Sequence, residues 1–291
     1  MNRKLTMTYD CINCAVGSLL TLFKKGLVAE EKQEIAMRAL LNHLSGADLK
    51  QSPPNLGRDM HRIIRDVLED PDPYNRIKKE SNETLLRYYP RFAKEVRSDQ
   101  DPFQLALRMA IAGNIIDFGP NHTFDWRKTM DRARSIDLSI DHSAQLKQDL
   151  RNAGMVLYIG DNAGEIVLDK LLLETIDHPN VYFGVRGSPI INDITAEDAK
   201  TVGIYDIATV ISNGDNTPGT LLSHVSGEFR RIFNSADLII SKGQGNFEGL
   251  VGCGSPVYYL LIAKCEHVAN FLNVNVGDFI LAGEKHAFSV A

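Results

Sequence analysis

The sequence predicts an α/β protein in which a helical bundle, residues 1–150, precedes a mostly parallel sheet covered on both faces, residues 151–291. Three observations predict it. Apolar residues up to about position 150 recur at three- and four-residue spacing, the period of a helix with one buried face. Beyond that point, short runs rich in branched and aromatic residues alternate with helical stretches, and continuous apolar strands of this kind belong to parallel sheets. The loops after these runs hold the unusual residues, at the carboxyl ends of strands where such sheets bind ligands.

The helical segments are AVGSLLTLFKKGL, EKQEIAMRALLNHL, GRDMHRIIRDVLE, YNRIKKESNETLLRYYPRFAKEV and PFQLALRMAIAGNIIDF. Between them LKQSPPN, DPDPY and RSDQDP are polar or carry proline. Pro102, just ahead of an apolar helical pattern, suits a first turn, where its missing N–H costs nothing. These segments predict a bundle of about five helices. In the second half MVLYIG, VYFGVRG, IATVIS, ADLIISKG, VYYLLIAK and DFILAG predict the strands.

A chain of 291 residues can bury one large core or two modest ones. Its 44% hydrophobic and 24% charged residues suit a soluble globular protein. A net charge of −5 gives no global basic footprint for nucleic acid. The opening MNRKLTMTYDCINC lacks the apolar core of a signal peptide. The longest apolar run, PVYYLLIA, stops at Lys264 and Glu266, short of a membrane span. The expectation is a soluble cytoplasmic protein with no nucleic-acid or membrane partner; oligomeric state is not legible. Cys11, Cys14, Cys253 and Cys265 are too few for a disulfide scaffold. The CINC pair has no second CxxC or HxxxH to complete a zinc site, so reduced thiols near a helical face are expected. A thiol at a helix start can also have a lowered pKa, which leaves reactivity open.

After the first strand comes GDNAGE (160–165). A dinucleotide fingerprint would place glycines at 160, 162 and 165, and only Gly160 is there. Asp161 would repel a phosphate unless a divalent cation lay between them. Asp161 and Asn162 are hard oxygen donors suited to Mg²⁺ or Mn²⁺, which keep positions open for other oxygens. Gly164 permits a tight turn into a helix whose amides face the anion. The alternative is that Asp161 or Asn162 merely caps that helix. After the second strand, Arg186 and Ser188 could hold an anion, and Asp193 either adds a carboxylate to the same ion or, like Thr195, caps the next helix. After the fourth strand, SKGQGNFEGL places Lys242 beside Gly243, with Asn246 and Glu248 opening a helix, in the manner of a phosphate cradle without P-loop spacing. The third loop, SNGDNTPGT, either lines a pocket or simply turns. In the helical half, Asn114 and Asp117 lie on one helix face in an apolar stretch, and buried polar groups need partners.

Taken together, GNIIDFG (113–119), GDNAGE (160–165), NDIT (192–195), ADLIISKGQGNFE (236–248) and YYLLIAKCEHVA (258–269) resemble, in order, the metal-dependent damage-control phosphatases, the ARMT-like family formerly known as a domain of unknown function. CINC and Cys265 resemble its microbial branch. The resemblance implies a helical domain joined to a Rossmann-like three-layer α/β/α domain. It implies Asp161, Asn162 and Asp193 as ligands of one divalent ion (Mn²⁺, Mg²⁺, Co²⁺ or Ni²⁺). It places Lys242 and Asn246 on the substrate phosphate or sugar, and Asn114 and Asp117 near the cleft. The roles of Gln244 and Glu248 transfer less directly, because eukaryotic relatives differ after the lysine–glycine pair.

The expected reaction is hydrolysis of a small-molecule phosphate monoester, such as a sugar phosphate or damaged phosphometabolite. The ion would bind a phosphoryl oxygen, and Lys242 with the helix amides would hold the others. The nucleophile is either a water activated by the ion or the carboxylate of Asp161. The sequence DNA at 161–163 in place of DxD favours water. A methyltransferase using S-adenosylmethionine is a rival, opposed by the arginine that ends the second strand where an acid would meet the ribose. A non-catalytic phosphometabolite sensor is another.

Overall fold

The computed structural model describes residues 4–113 and 126–287. Its elements, in chain order, are α1 (Tyr9–Lys24), α2 (Glu30–Ser45), α3 (Pro53–Leu68), α4 (Asn75–Arg97), α5 (Pro102–Ala112), α6 (Trp126–Ser135), β1 (Leu138–Asp141), α7 (Ser143–Asn152), β2 (Val156–Ile159), α8 (Glu165–Ile176), β3 (Val181–Val185), α9 (Ala196–Val202), β4 (Thr209–Ser212), α10 (Gly227–Ser235), β5 (Leu238–Lys242), α11 (Gln244–Leu250), β6 (Val257–Ile262), α12 (Glu266–Leu272), β7 (Phe279–Gly283) and α13 (Glu284–Ala287). The strands form one seven-stranded sheet in the order β1-β7-β6-β5-β2-β3-β4. From β6 to β4 all neighbours are parallel, whereas β7 runs antiparallel to β6 and β1 parallel to β7. The carboxyl ends of β2 to β6 therefore share one edge of the sheet.

Side-chain alternation divides each strand between two cores. On β2, Val156 and Tyr158 join the core that holds α4 to α9, while Leu157 and Ile159 join the one beneath α10, α11 and α12. Helix α8 explains why the first of these is so thick. Ile166, Val167, Leu168, Leu171, Leu172 and Leu173 are all buried, and a helix apolar all round must be covered on every side. It lies on the sheet with α5 and α4 packed over its back.

This arrangement differs from a bundle ending at residue 150. Leu138–Asp141 already belongs to the sheet, paired with β7. As an exposed edge strand of four residues it offers no continuous apolar run to read. Helices α4 to α6 share their core with the sheet, and only α1 to α3 have a cluster of their own, built around Leu19, Leu40 and Ile64. Helix α3 lies across the strand-end loops. Arg65 donates to the Pro189 carbonyl at 2.8 Å, Arg58 stands 3.8 Å from the Asp215 carboxylate, and Ser52, just before the helix, donates to the Glu248 carbonyl at 3.2 Å. No described helix is long and apolar enough to cross a membrane.

Candidate active site

Strand β2 has β3 on one side and β5 on the other, so the chain's direction of winding reverses there, the usual place for a ligand in an open parallel sheet. The GDNAGE loop leaves β2 at this point. Gly164 takes φ +81°, a conformation open to glycine, and begins α8 without any side chain capping it. Asp161 and Asn162 are thus not helix caps. The loop is joined to the one after β3 by a short antiparallel bridge between Asn162 and Asp193, with Ala163 N–H donating to Asn192 O at 2.8 Å and Ile194 N–H to Asp161 O at 2.9 Å. Asp193 does not cap α9 either; Thr195 does, in a reciprocal box with Asp198. Both aspartates are left for other work, side by side and buried.

Arg186 lies beneath them. Its Nε donates to Asp193 Oδ2 at 2.7 Å, one terminal nitrogen stands 3.9 Å from Asp161 Oδ1, and the guanidinium also reaches Thr220 Oγ1 and Asn246 Oδ1 at 3.1 Å each. Asn246 Nδ2 donates to the carbonyls of Lys242 and Gly160, tying β5's end to β2's. Arg186 and Asn246 therefore brace the site from below. The third loop joins this framework through buried Thr220, whose hydroxyl donates to Asn246 Oδ1 at 2.7 Å. Ser188 is exposed on the loop beyond Arg186.

The sequence places Lys242 against a phosphate; the structure does not. Its ammonium is fully buried and donates to Ala110 O at 2.8 Å, Glu165 Oε1 at 2.5 Å and Asp169 Oδ1 at 2.5 Å. Three donors meet three acceptors, leaving none for a ligand. Burial alone would discharge this lysine, but Asp169 and Glu165 outweigh it and raise its pKa. Asp169 also accepts from Tyr158 at 2.7 Å, and burial lifts its own pKa to about 6 against the pull of Lys242. Glu165 and Asp169, one turn apart on α8, had no signal in the sequence beyond their i, i+4 spacing.

Lys264 is the cation that the sequence reading passed over. It is exposed at the end of β6, with its backbone N–H on Gln244 Oε1 at 2.7 Å, and its charge opposes the rise in pKa of Asp161, Asp193 and Glu248. Burial, then Asp193 and Glu165, push Asp161 up to about 7 despite Lys264 and Arg186. Burial raises Asp193 too, against Arg186. Asn114 and Asp117 lie outside the described residues; Gly113, just before them, sits beside Glu165 and Leu168. All four cysteines are free thiols, Cys14 exposed and the others half-buried.

These donors can be tested against a metal ion. Among the described residues, no three His, Cys, Asp or Glu side chains converge on one point, so a cation here would be held by two carboxylates and a carboxamide. Four buried carboxylates, Asp161, Glu165, Asp169 and Asp193, stand against two buried cations, Arg186 and Lys242. A divalent cation would offset that surplus, and hard oxygens suit Mg²⁺ or Mn²⁺. The set fits. Asn162 turns its nitrogen toward the acids, 2.6 Å from Asp161 Oδ2 and 3.1 Å from Glu165 Oε2, so its oxygen would join only after the amide turns over.

Comparison with known proteins identifies the family. Residues 7–280 match the damage-control phosphatase ARMT1-like domain. The chain is 39% identical over 240 residues to an uncharacterized protein of Methanocaldococcus jannaschii, with 79% of each chain covered. It is 32% identical over 290 residues to a damage-control phosphatase of Pyrococcus horikoshii, covering 97% of this chain and 99% of that one. A damage-control phosphatase of Archaeoglobus fulgidus is 32% identical over 284 residues, covering 93% and 96%. The crystal structure of a DUF89 family protein from Pyrococcus horikoshii superposes with a TM-score of 0.87 at 31% identity, covering 97% of this chain and all of that one. With its sheet, its strand-end loops and nearly its whole length matched, the chain belongs to the damage-control phosphatase ARMT1-like family.

Proposed function

We propose that the protein is a divalent-metal-dependent phosphatase that hydrolyses phosphate monoesters of small metabolites, sugar phosphates or damaged phosphometabolites among them. The observation that carries this reading is the pairing of Asp161 with Asp193, delivered by loops from neighbouring parallel strands and joined by the bridge at Asn162. Asp161 and Asp193 would hold the cation, with Asn162 as a third donor. When bound, the ion supplies a Lewis acid that offsets charge on the phosphoryl oxygens.

The chain's own residues do the rest. Lys264, exposed just beyond β6 with its charge felt by both aspartates, would offer a cation to a phosphate oxygen. Arg186 holds Asp193 by its Nε and keeps the two carboxylates from being driven apart. Lys242 fixes Glu165 and Asp169 behind the loop, so that α8 starts in one place. The arginine at the end of β3, buried and committed to Asp193, leaves no acid there for a ribose and argues against the methyltransferase reading.

The test is phosphate release by chelator-stripped protein from a panel of sugar phosphates and an aryl phosphate, with Mg²⁺, Mn²⁺, Co²⁺ or Ni²⁺ restored singly. Turnover should return with metal and fall by at least about 100-fold in Asp161→Ala, which removes both a ligand and transition-state stabilisation. Turnover that survives chelation, or that persists in Asp161→Ala, would overturn the reading.

A further inference from the structure

Two of the ties that hold the metal-binding loops converge on one buried pair in the layer above. Asn82, on α4, is 1% exposed, and its amide is used at both ends. Its Oδ1 accepts from the Gly164 backbone N–H at 2.7 Å, and its Nδ2 donates to Asp198 Oδ1 at 2.9 Å. The other oxygen of Asp198 accepts from the N–H and the hydroxyl of Thr195, at 2.9 Å each. Gly164 ends the loop that carries Asp161 and Asn162, and Thr195 follows Asp193 by two residues. Lys78, one turn before Asn82 and also buried, bonds Asp72 at 2.8 Å and stands 3.9 Å from Asp198, which supplies positive charge near that carboxylate.

From this geometry we infer that Asn82 and Asp198 act as positioning residues that set the separation of the metal ligands Asp161 and Asn162 from Asp193. The inference rests on the metal-site reading above and deepens it. The bridge at Asn162 and the Arg186 guanidinium join the two loops on the ligand side, at the strand ends. The Asn82–Asp198 pair adds a further tie from the helical layer, between Asn82 on α4 and Asp198 on α9. Gly164 precedes the first turn of α8, so its buried N–H has no acceptor in the helix and Asn82 supplies one. A ligand set held on the strand-end side and from the helical layer presents its oxygens already spaced, and residues behind the ligands commonly change metal affinity by about 10- to 100-fold.

The experiment measures Mn²⁺ binding directly, by titration calorimetry on chelator-stripped protein, with melting temperature recorded for each metal-free variant. Asn82→Ala should weaken Mn²⁺ at least about tenfold. Ser143→Ala, which removes a buried bond from Gln104 at 2.7 Å, lies away from the site and should lower the melting temperature without moving Mn²⁺ affinity. Exchanging the pair provides a rescue: in Asn82→Asp with Asp198→Asn every hydrogen bond can re-form, with the charge on the other side. The double variant should bind Mn²⁺ within about threefold of the wild type, while each single change falls at least about tenfold. If Asn82→Ala fails to fold, the exchange series decides. Mn²⁺ affinity unchanged in the single variants, or not recovered in the double, overturns the inference. If the wild type itself binds no Mn²⁺, or Asp161→Ala binds it equally well, the metal site is refuted and the positioning role with it.

Discussion

Gly243 shows how much of the site rests on single atoms. Its φ of +80° lies where side chains are strained, and a Cβ there would run into the Asp161 carboxylate. Glycine is present because β5 and the GDNAGE loop approach more closely than a methyl group allows. Gly243→Ala should therefore cost only about 1 to 2 kcal/mol of stability yet lower kcat/KM by about 100-fold, because it displaces the Asp161 carboxylate rather than the core. A variant with full turnover would show that Asp161 is free to move away from β5. The position of both residues was legible in the sequence, because ligands of a parallel sheet bind at strand ends, but the choice between ligand and helix cap was not. Lys242 was legible as a chemical group but not in its role. Its position after an apolar strand is the same whether it meets a ligand or, as here, two acids one turn apart on α8. Asn82 and Asp198 lay beyond sequence reading, because 116 residues separate them and nothing local marks either.

At the level of elements, the strands β2, β3, β5, β6 and β7 were read from continuous apolar runs because a buried strand has no polar face to interrupt it, and β4, at the edge, from its branched residues. β1, α6 and α7 were missed for the converse reason: LSID is a short edge strand, half of WRKTMDRARS is charged, and SAQLKQDLRN buries only Ser143, Leu146 and Leu150. Helix α11 has a property that can be measured. Gln244 Nε2 holds Glu248 Oε1 at 2.8 Å, and burial pushes the Glu248 carboxyl from 4.5 up to about 7, although Gln244 and Lys264 both favour the charged form. The folded chain thus keeps this proton where the unfolded chain has lost it. The stability it contributes is complete below about pH 4.5 and is lost as pH rises through about 7. Glu248→Gln has no proton to lose. In metal-free protein its melting temperature should fall less than the wild type's between these limits, by the equivalent of on the order of 2 kcal/mol, lessened by partial exposure. Parallel profiles would mean that Glu248 titrates as it does in the unfolded chain.

Across the whole molecule, the helical and α/β halves seen in the sequence are periods in the chain rather than separate bodies. The change of period near residue 150 is real, but the core ignores it. Phe92, Met109 and Ile111 lie in the same cluster as Leu168, Leu172 and Tyr158. Ala110 gives its carbonyl to Lys242, and Asn82 holds Gly164, so the first half also completes the polar framework of the site. A fragment of residues 151–291 would lose the β1 partner of β7 and the cover of α4 and α5 on α8. Each large apolar side chain left bare forfeits about 1.5 to 3 kcal/mol, and a few of them match the whole stability of a typical domain, about 5 to 15 kcal/mol. The fragment should therefore show neither a cooperative thermal transition nor near-ultraviolet circular dichroism, while the full chain shows both. A fragment that melts cooperatively would mean that the sheet and α8 suffice for a core, and that the upper helices serve the loops alone. The expected failure would place the reason for the long helical half in burial as well as in catalysis: α8 can present Glu165 and Asp169 to Lys242 only because other helices cover the rest of its surface.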